Sequence, residues 1–136
     1  MAVKLIVAVR DGMAQALINK IDGGGAAGSI KIYSGTQPAN PSVAASGTVL
    51  SEHPLSFPCA TVTNGVMVFG AITEDQYANA TGTATWARFF DSTGAAVLDC
   101  SVTVSGGNGD LQMNTVNIVI NGPVRFTSLQ ITMPGG

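Results

Sequence analysis

The chain has 136 residues and a formal net charge of −2, and only 10% of its residues are charged, against about 25% in ordinary soluble domains. Its six lysine and arginine residues are scattered, which argues against a basic patch for nucleic acid. The longest apolar run, residues 5–9, is far shorter than the roughly 20 residues of a membrane span and has no convincing signal-peptide cleavage site. We therefore predict one soluble domain over residues 1–136, made in a cytoplasm, with no nucleic-acid and no membrane partner.

The start of the chain is the one segment with helical character. Asp11 can cap a helix, and glycines at 23–25 can end it. Between them, apolar residues recur at the spacing of one helical face. We expect an N-terminal arm and one helix of about three turns within residues 1–23. The apolar positions are Met13, Ala14, Leu17, Ile18 and Ile21.

After residue 28 the pattern changes to short strands separated by turns. Residues 29–33 alternate with period two, and Asn64-Gly65 joins two apolar runs as in a hairpin. Residues 81–102 form a second hairpin around the turn at 91–94, and residues 124–133 form a last long strand. About eight short strands and one early helix predict an all-β fold, a two-sheet sandwich or jelly roll.

Residues that could carry chemistry are few. His53 is the only histidine and lies beside no serine-nucleophile motif, so we expect an exposed or interface histidine. Residues 23–28 match G-x-G-x-x-G, but a helix precedes them and a strand follows, the reverse of a dinucleotide site. Cys59 and Cys100 lack zinc-ligand spacing and are expected to be buried thiols. We predict no catalytic, cofactor or metal residues, and hence no enzyme.

The aromatic strand of the second hairpin allows two interpretations. By alternation, Trp86 and Phe90 share one face with Arg88, while Phe89 lies on the other. These rings could form a sugar-stacking platform, but a core role is the more common one for large aromatic side chains.

Several segments, taken in order, carry a resemblance to a known group of proteins. The chain resembles the small structural proteins encoded by tailed bacteriophages and prophages, over nearly its full length. The segments are MAVK at the N-terminus, IKIYSGTQPA at 30–39, ATGTATWARFF at 80–90 with its continuation to 102, GDLQMN at 109–114 and GPVRFTS at 122–128.

The resemblance implies a virion protein made in the bacterial host cytoplasm. A capsid cement (decoration) protein that binds and stabilises the major capsid protein shell fits best, similar to the jelly-roll proteins on icosahedral capsids. The alternative is a tail or baseplate component, possibly a sugar-binding module. We also expect a homo-oligomer, a dimer or a trimer, because symmetry would repeat the contacts.

Two segments lack strong core patterning and are expected to reach out to the partner. They are residues 1–9 and the proline-containing loop at residues 34–46, since termini and loops often carry contacts. The candidate interface residues are Val3, Leu5, Ile6, Thr36, Pro38 and Pro41.

Overall fold

The computed structural model describes residues 3–133, without the side chains of Thr127 and Ser128. Within that range one helix precedes ten strands, which confirms a mostly β chain with one short early helix. The helix is α1 (Val7–Ile21), and the strands are β1 (Ser29–Tyr33), β2 (Val49–Pro54), β3 (Ala60–Thr63), β4 (Val66–Phe69), β5 (Gly82–Thr83), β6 (Trp86–Phe90), β7 (Ala96–Val104), β8 (Leu111–Met113), β9 (Asn117–Ile118) and β10 (Phe126–Thr132).

Eight of these strands form one curled, mixed sheet in the order β2-β1-β6-β7-β8-β10-β4-β3. Its strand pairs are antiparallel except β7 and β8, which run parallel. Strands β5 and β9 pair separately as a small two-stranded sheet. The closing of this sheet into a sandwich or jelly roll stays a prediction.

Both expected hairpins are present, and turn chemistry explains them. Asn64 and Gly65 have φ of 50° and 76°, which a type I′ turn between β3 and β4 requires. At the turn between β6 and β7, the Asp91 carboxylate accepts hydrogen bonds from the backbone N–H groups of Thr93 (2.9 Å) and Ala95 (3.0 Å). In an isolated turn these two backbone N–H groups would bind water, whereas here the Asp91 side chain satisfies them.

The central strands present one apolar face and one polar face. In the antiparallel register, Ile30 lies opposite Phe89, and both side chains are fully buried in the core. The next residue along, Lys31, lies opposite Arg88 and points to the other face. The predicted alternation of the aromatic strand is therefore confirmed, with Phe89 inside and Trp86 on the face of Arg88.

The helix begins earlier than expected, and the capping role predicted for Asp11 is wrong. Helix α1 starts at Val7, and Ile6 occupies the N-cap position without a side-chain hydrogen bond. The Asp11 carboxylate instead accepts a hydrogen bond from the Gly65 N–H at 2.6 Å. Asp11 and Gly65 are 54 residues apart, so no local sequence pattern indicates their contact. Helix capping was the only role that the neighbouring residues of Asp11 suggested.

Helix α1 lies beside strand β3 and is fixed at both ends. Asp11 binds the turn that follows β3, and the Asp22 carboxylate accepts the N–H of Cys59, just before β3, at 3.3 Å from each oxygen. Between these anchors the helix buries Ala14, Ile18 and Ile21 in the core. The opposite side of the helix is left facing outward.

Candidate interaction surface

The N-terminal end of the described chain carries a cluster of exposed apolar side chains. Val3 and Ile6 are 68% and 70% exposed, and the helix adds Val7, Val9 and Met13 at 44%, 45% and 36%. Ile6, Val9 and Met13 are spaced three and four residues apart and so lie on one side of the helix. We call these five residues the N-terminal apolar face.

Helix α1 is therefore apolar on two sides. A surface helix of a globular protein ordinarily turns charged and polar residues to solvent. Here the inner side packs on the sheet, while Ile6, Val9 and Met13 make a second side of the first two turns apolar. Val7 is in line with Ala14 and Ile21 on the inner side but is 44% exposed near the start of the helix. Clustered exposed apolar residues of this kind mark sites of contact with another molecule.

Arg10 fixes the first turn of the helix to the sheet. Its Nη2 donates a hydrogen bond to the Met133 carbonyl at 3.3 Å, and its guanidinium lies over the β3–β4 turn. A Cβ atom on Gly65 would stand 2.7 Å from Arg10 Cζ, so a side chain there would require the guanidinium to shift. The Ile6 carbonyl accepts hydrogen bonds from the N–H groups of Val9 and Arg10. The predicted arm is therefore held to the helix from Ile6 onward.

The predicted interface residues near the N-terminus divide by exposure. Val3 and Ile6 are exposed, while Leu5 is half-buried. Met1 and Ala2 of the predicted arm lie outside the described residues.

Val7 and Val9 belong to the predicted arm at residues 1–9. Met13, predicted on one helical face with the buried Ala14 and Ile18, is 36% exposed, and that part of the prediction is wrong. The spacing of Val9 and Met13 after Ile6 could have indicated the exposed side of the helix.

The loop at residues 34–46 is closed at its base. The Ser34 N–H donates to the Thr48 carbonyl at 3.1 Å, and the Thr48 N–H donates to Ser34 Oγ at 3.2 Å. Thr85 Oγ1 donates to the Gly35 carbonyl at 2.6 Å. Thr36 is exposed, as is Val43 further along the loop.

The middle of this loop borders a groove instead of extending freely into solvent. Pro38 and Pro41 are half-buried and line a groove of about 330 Å³ against Leu17 of the helix and Leu98 of β7. Leu17 follows Ile6 by 11 residues, which is about 16 Å along the helix. The predicted interface residues thus occupy two separate places on the molecule.

Buried aromatic and charged groups occupy the polar face of the sheet. Arg88 binds the Asp99 carboxylate through Nε (2.7 Å) and Nη2 (3.0 Å), and this hydrogen-bonded pairing raises the pKa of the guanidinium. Trp86 stacks on Tyr33 with ring centroids 4.3 Å apart and donates from Nε1 to the Ser34 carbonyl at 3.2 Å. Trp86 is fully buried, so the core role of this ring is confirmed and it offers no surface for a sugar.

The expectation of an exposed His53 is wrong, since its side chain is completely buried. Its Nδ1 lies 2.8 Å from the Thr73 carbonyl and its Nε2 lies 2.9 Å from Ser51 Oγ. A serine beside a histidine is half of a catalytic relay, but Ser51 is also fully buried and cannot reach a substrate in this conformation. The inward residues of β2, Ser51 and His53, alternate with Glu52 and Pro54, which is the pattern that could have predicted this burial.

All eight acidic side chains accept hydrogen bonds from other groups of the chain. Five bind backbone N–H groups or a hydroxyl, and three form ion pairs, so the carboxylates stabilise the fold. In the first group are Asp11, Asp22, Asp75, Asp91 and Asp110, and in the second Glu52, Glu74 and Asp99.

The two thiols are buried, as predicted. Burial raises the pKa of Cys59 to about 12 and also raises that of Cys100, so neither forms a nucleophilic thiolate at neutral pH. Among residues 3–133, no group of three histidine, cysteine or acidic residues could hold a metal ion. In the same range no helix is long and apolar enough to cross a membrane.

No family model, curated protein or solved structure matches this chain. What supports a function for this chain is therefore its own residues and their resemblance in sequence pattern to the phage proteins named above.

Proposed function

We propose that this chain is a non-enzymatic structural protein of a tailed-phage virion, a cement protein that binds and stabilises the major capsid shell. We further propose that the curled sheet closes as a jelly-roll-like sandwich and that the protein assembles as a dimer or trimer. The observation that carries the functional proposal is the N-terminal apolar face, a cluster of exposed apolar side chains on a helix that is fixed to the sheet at both ends.

The chemistry of the surface supports assembly. Because only 10% of the residues are charged, much of the polar character of the chain comes from hydroxyl and amide groups. Such groups lose far less free energy than free charges when a partner removes water from them. A standard interface buries about 800 Å² on each side, and an apolar centre with a neutral rim fits that description.

The first test is the copy number of the chain in virions purified from the phage or induced prophage that encodes it. Quantitative mass spectrometry against the major capsid protein should give a ratio near one or a simple fraction of it. A much smaller ratio would move the chain to the tail or baseplate, and its absence from virions would end the structural proposal.

A second test locates the contact. Ile6→Gln at the N-cap and Val9→Gln within the helix place a polar side chain on the N-terminal apolar face without touching the buried side of α1. Glutamine is also a good helix former at position 9. Each variant should weaken binding to expanded shells that lack the chain by at least about tenfold, the equivalent of about 1.4 kcal/mol. Val119→Gln, which changes another exposed valine, is the matched control and should bind normally.

The same experiment can contradict the proposal. Equal binding by the Ile6, Val9 and Val119 variants would exclude the N-terminal apolar face as the contact. Val43→Gln then tests the loop at residues 34–46, whose exposed valine offers the same change of side chain. Melting temperatures within a few degrees of the unmodified chain are required of each variant.

A further inference from the structure

Strand β2 is an edge of the large sheet, and residues 73–79 cover its outer side. The Thr73 N–H donates to the Pro54 carbonyl at 3.1 Å, and the Asn79 N–H donates to the Leu50 carbonyl at 2.8 Å. Between them, Asp75 Oδ2 accepts the Glu52 N–H at 3.0 Å. This segment satisfies backbone groups that an edge strand otherwise leaves open to new partners.

His53 connects β2 to this segment through its ring. A carbonyl oxygen can only accept, so Nδ1 carries the proton and donates it to Thr73, while Nε2 accepts from the Ser51 hydroxyl. The ring also lies against Phe126 at the start of β10, with centroids 4.4 Å apart. The neutral imidazole is therefore satisfied at both nitrogens in a site without solvent contact.

A protonated ring would keep the Thr73 carbonyl as an acceptor and would need the Ser51 hydroxyl to turn round and accept from Nε2, but no free carboxylate among residues 3–133 faces it. Asp75 is the acidic group that acts on His53, but its two oxygens already accept the N–H groups of Glu52 and Tyr77. Glu52 itself pairs with Lys31 on the other face of the sheet, and β1 presents Ile30 opposite the histidine.

The remaining neighbouring charges are also paired. Glu74, within the covering segment, and Arg125, next to Phe126, bind each other at 3.1 Å. Burial lowers the pKa of His53, and this outweighs the opposing effects of the Thr73 carbonyl and Asp75.

We propose that His53 is an acid-sensitive latch: protonation of its ring releases residues 73–79 from β2 while the centre of the sheet stays folded. The open form presents the backbone of β2 as a free sheet edge. This inference rests on the buried geometry around His53 and is independent of the proposed virion function.

The direction of the pH effect follows from proton linkage. In the open form the histidine regains its ordinary pKa near 6.5, whereas in the closed form its pKa is lower. Above pH 6.5 the opening equilibrium is independent of this group. Below it, the open form gains a proton, so the opening constant rises up to tenfold for each pH unit until the closed form is also protonated.

The first test uses the unmodified protein, because His53 is the only histidine and its ring signals are unambiguous in NMR spectra. The ring carbon and proton shifts should titrate in the folded protein with a midpoint below 6.5. A midpoint at or above 6.5 would overturn the latch.

The second test locates the opening by hydrogen exchange between pH 7.5 and 5, corrected for the intrinsic rate. Protection of the Thr73 and Asn79 amides should fall with pH below 6.5, while amides of β6 and β7 keep theirs. An equal loss in β6 and β7 means global unfolding, and no loss at Thr73 and Asn79 means no latch; either result refutes the proposal.

Two variants assign the effect to the imidazole. In His53→Gln, which retains hydrogen-bonding capacity but cannot titrate in this range, the exchange of Thr73 and Asn79 should no longer depend on pH. In Asp75→Asn, which removes the nearby carboxylate, the dependence below pH 6.5 should persist. Persistence in the His53 variant, or its loss only in the Asp75 variant, would assign the opening to the carboxylate and refute the latch.

Discussion

The buried ion pair between Arg88 and Asp99 gives the sharpest stability prediction. Their side chains are 5% and 3% exposed, and Asp99 binds both Nε and Nη2 of the guanidinium. Asp99→Asn would leave a buried cation without its counter-charge, which costs about 3–5 kcal/mol. For a domain of this size, that loss lowers the melting temperature by about 10–20 °C.

Urea unfolding followed by far-ultraviolet circular dichroism measures this loss. Tryptophan fluorescence is unsuitable because Arg88 lies 5.3 Å from the Trp86 ring. Breaking the ion pair would change the fluorescence of the folded protein as well as its stability. The matched control is Lys31→Met, which breaks the exposed cross-strand pair with Glu52 on the same face and should cost less than about 1 kcal/mol.

The double variant Arg88→Met with Asp99→Leu separates the pair from the packing. Removing both charges should recover most of the loss, because an apolar pair needs no counter-charge. If Asp99→Asn costs no more than Lys31→Met, the pair is hydrated and the argument from burial fails.

Three further predictions concern the turn, the thiols and the interface. Gly65→Ala should lower the unfolding free energy by about 1–3 kcal/mol, because Gly65 has a φ of +76° and the Arg10 guanidinium lies close to it. Gly12→Ala, in open space on α1, should raise the unfolding free energy by about 0.5–1 kcal/mol. Reversal of this order would contradict the turn geometry. Cys59 and Cys100 should react with Ellman's reagent at pH 8 only as fast as the protein unfolds, and a fast phase in the folded protein would contradict their burial. Binding to shells should change less than about threefold between 50 and 500 mM NaCl, because the five side chains of the N-terminal apolar face are uncharged. A steep decrease would indicate a charged contact instead, for which the exposed Lys4 is the nearest candidate in sequence.

Local turn chemistry explains why so much of the β structure could be predicted. Asn64-Gly65 and the Asp91–Gly94 turn each contain the residues that their backbone angles require, and both hairpins formed where expected. The strand order could not be read in the same way. The parallel pairing of β7 with β8 and the position of β10 between β8 and β4 depend on packing between distant segments.

The candidate sites were harder to predict because tertiary contacts decide them. Asp11 was expected to cap its own helix, but it binds a turn 54 residues away. The burial of His53 depends on residues 73–79 and on Phe126, neither of which is near it in sequence. At the N-terminus, the exposure of Val3 and Ile6 agrees with the position of the proposed contact, which itself remains a prediction.

The two sides of α1 allow binding and folding to be altered separately. Ala14, Ile18 and Ile21 on the inner side hold the helix to the sheet, while Ile6 and Val9 lie outward with large exposed fractions. The outward residues bury little apolar surface within the folded chain, so replacing one of them should change the folding free energy only slightly. Any large effect on assembly must then come from a lost contact with a partner. If the outward residues contributed only to folding, a polar replacement there would shift melting and binding together. A loss of binding at constant melting temperature would therefore identify this surface as a contact retained for another molecule.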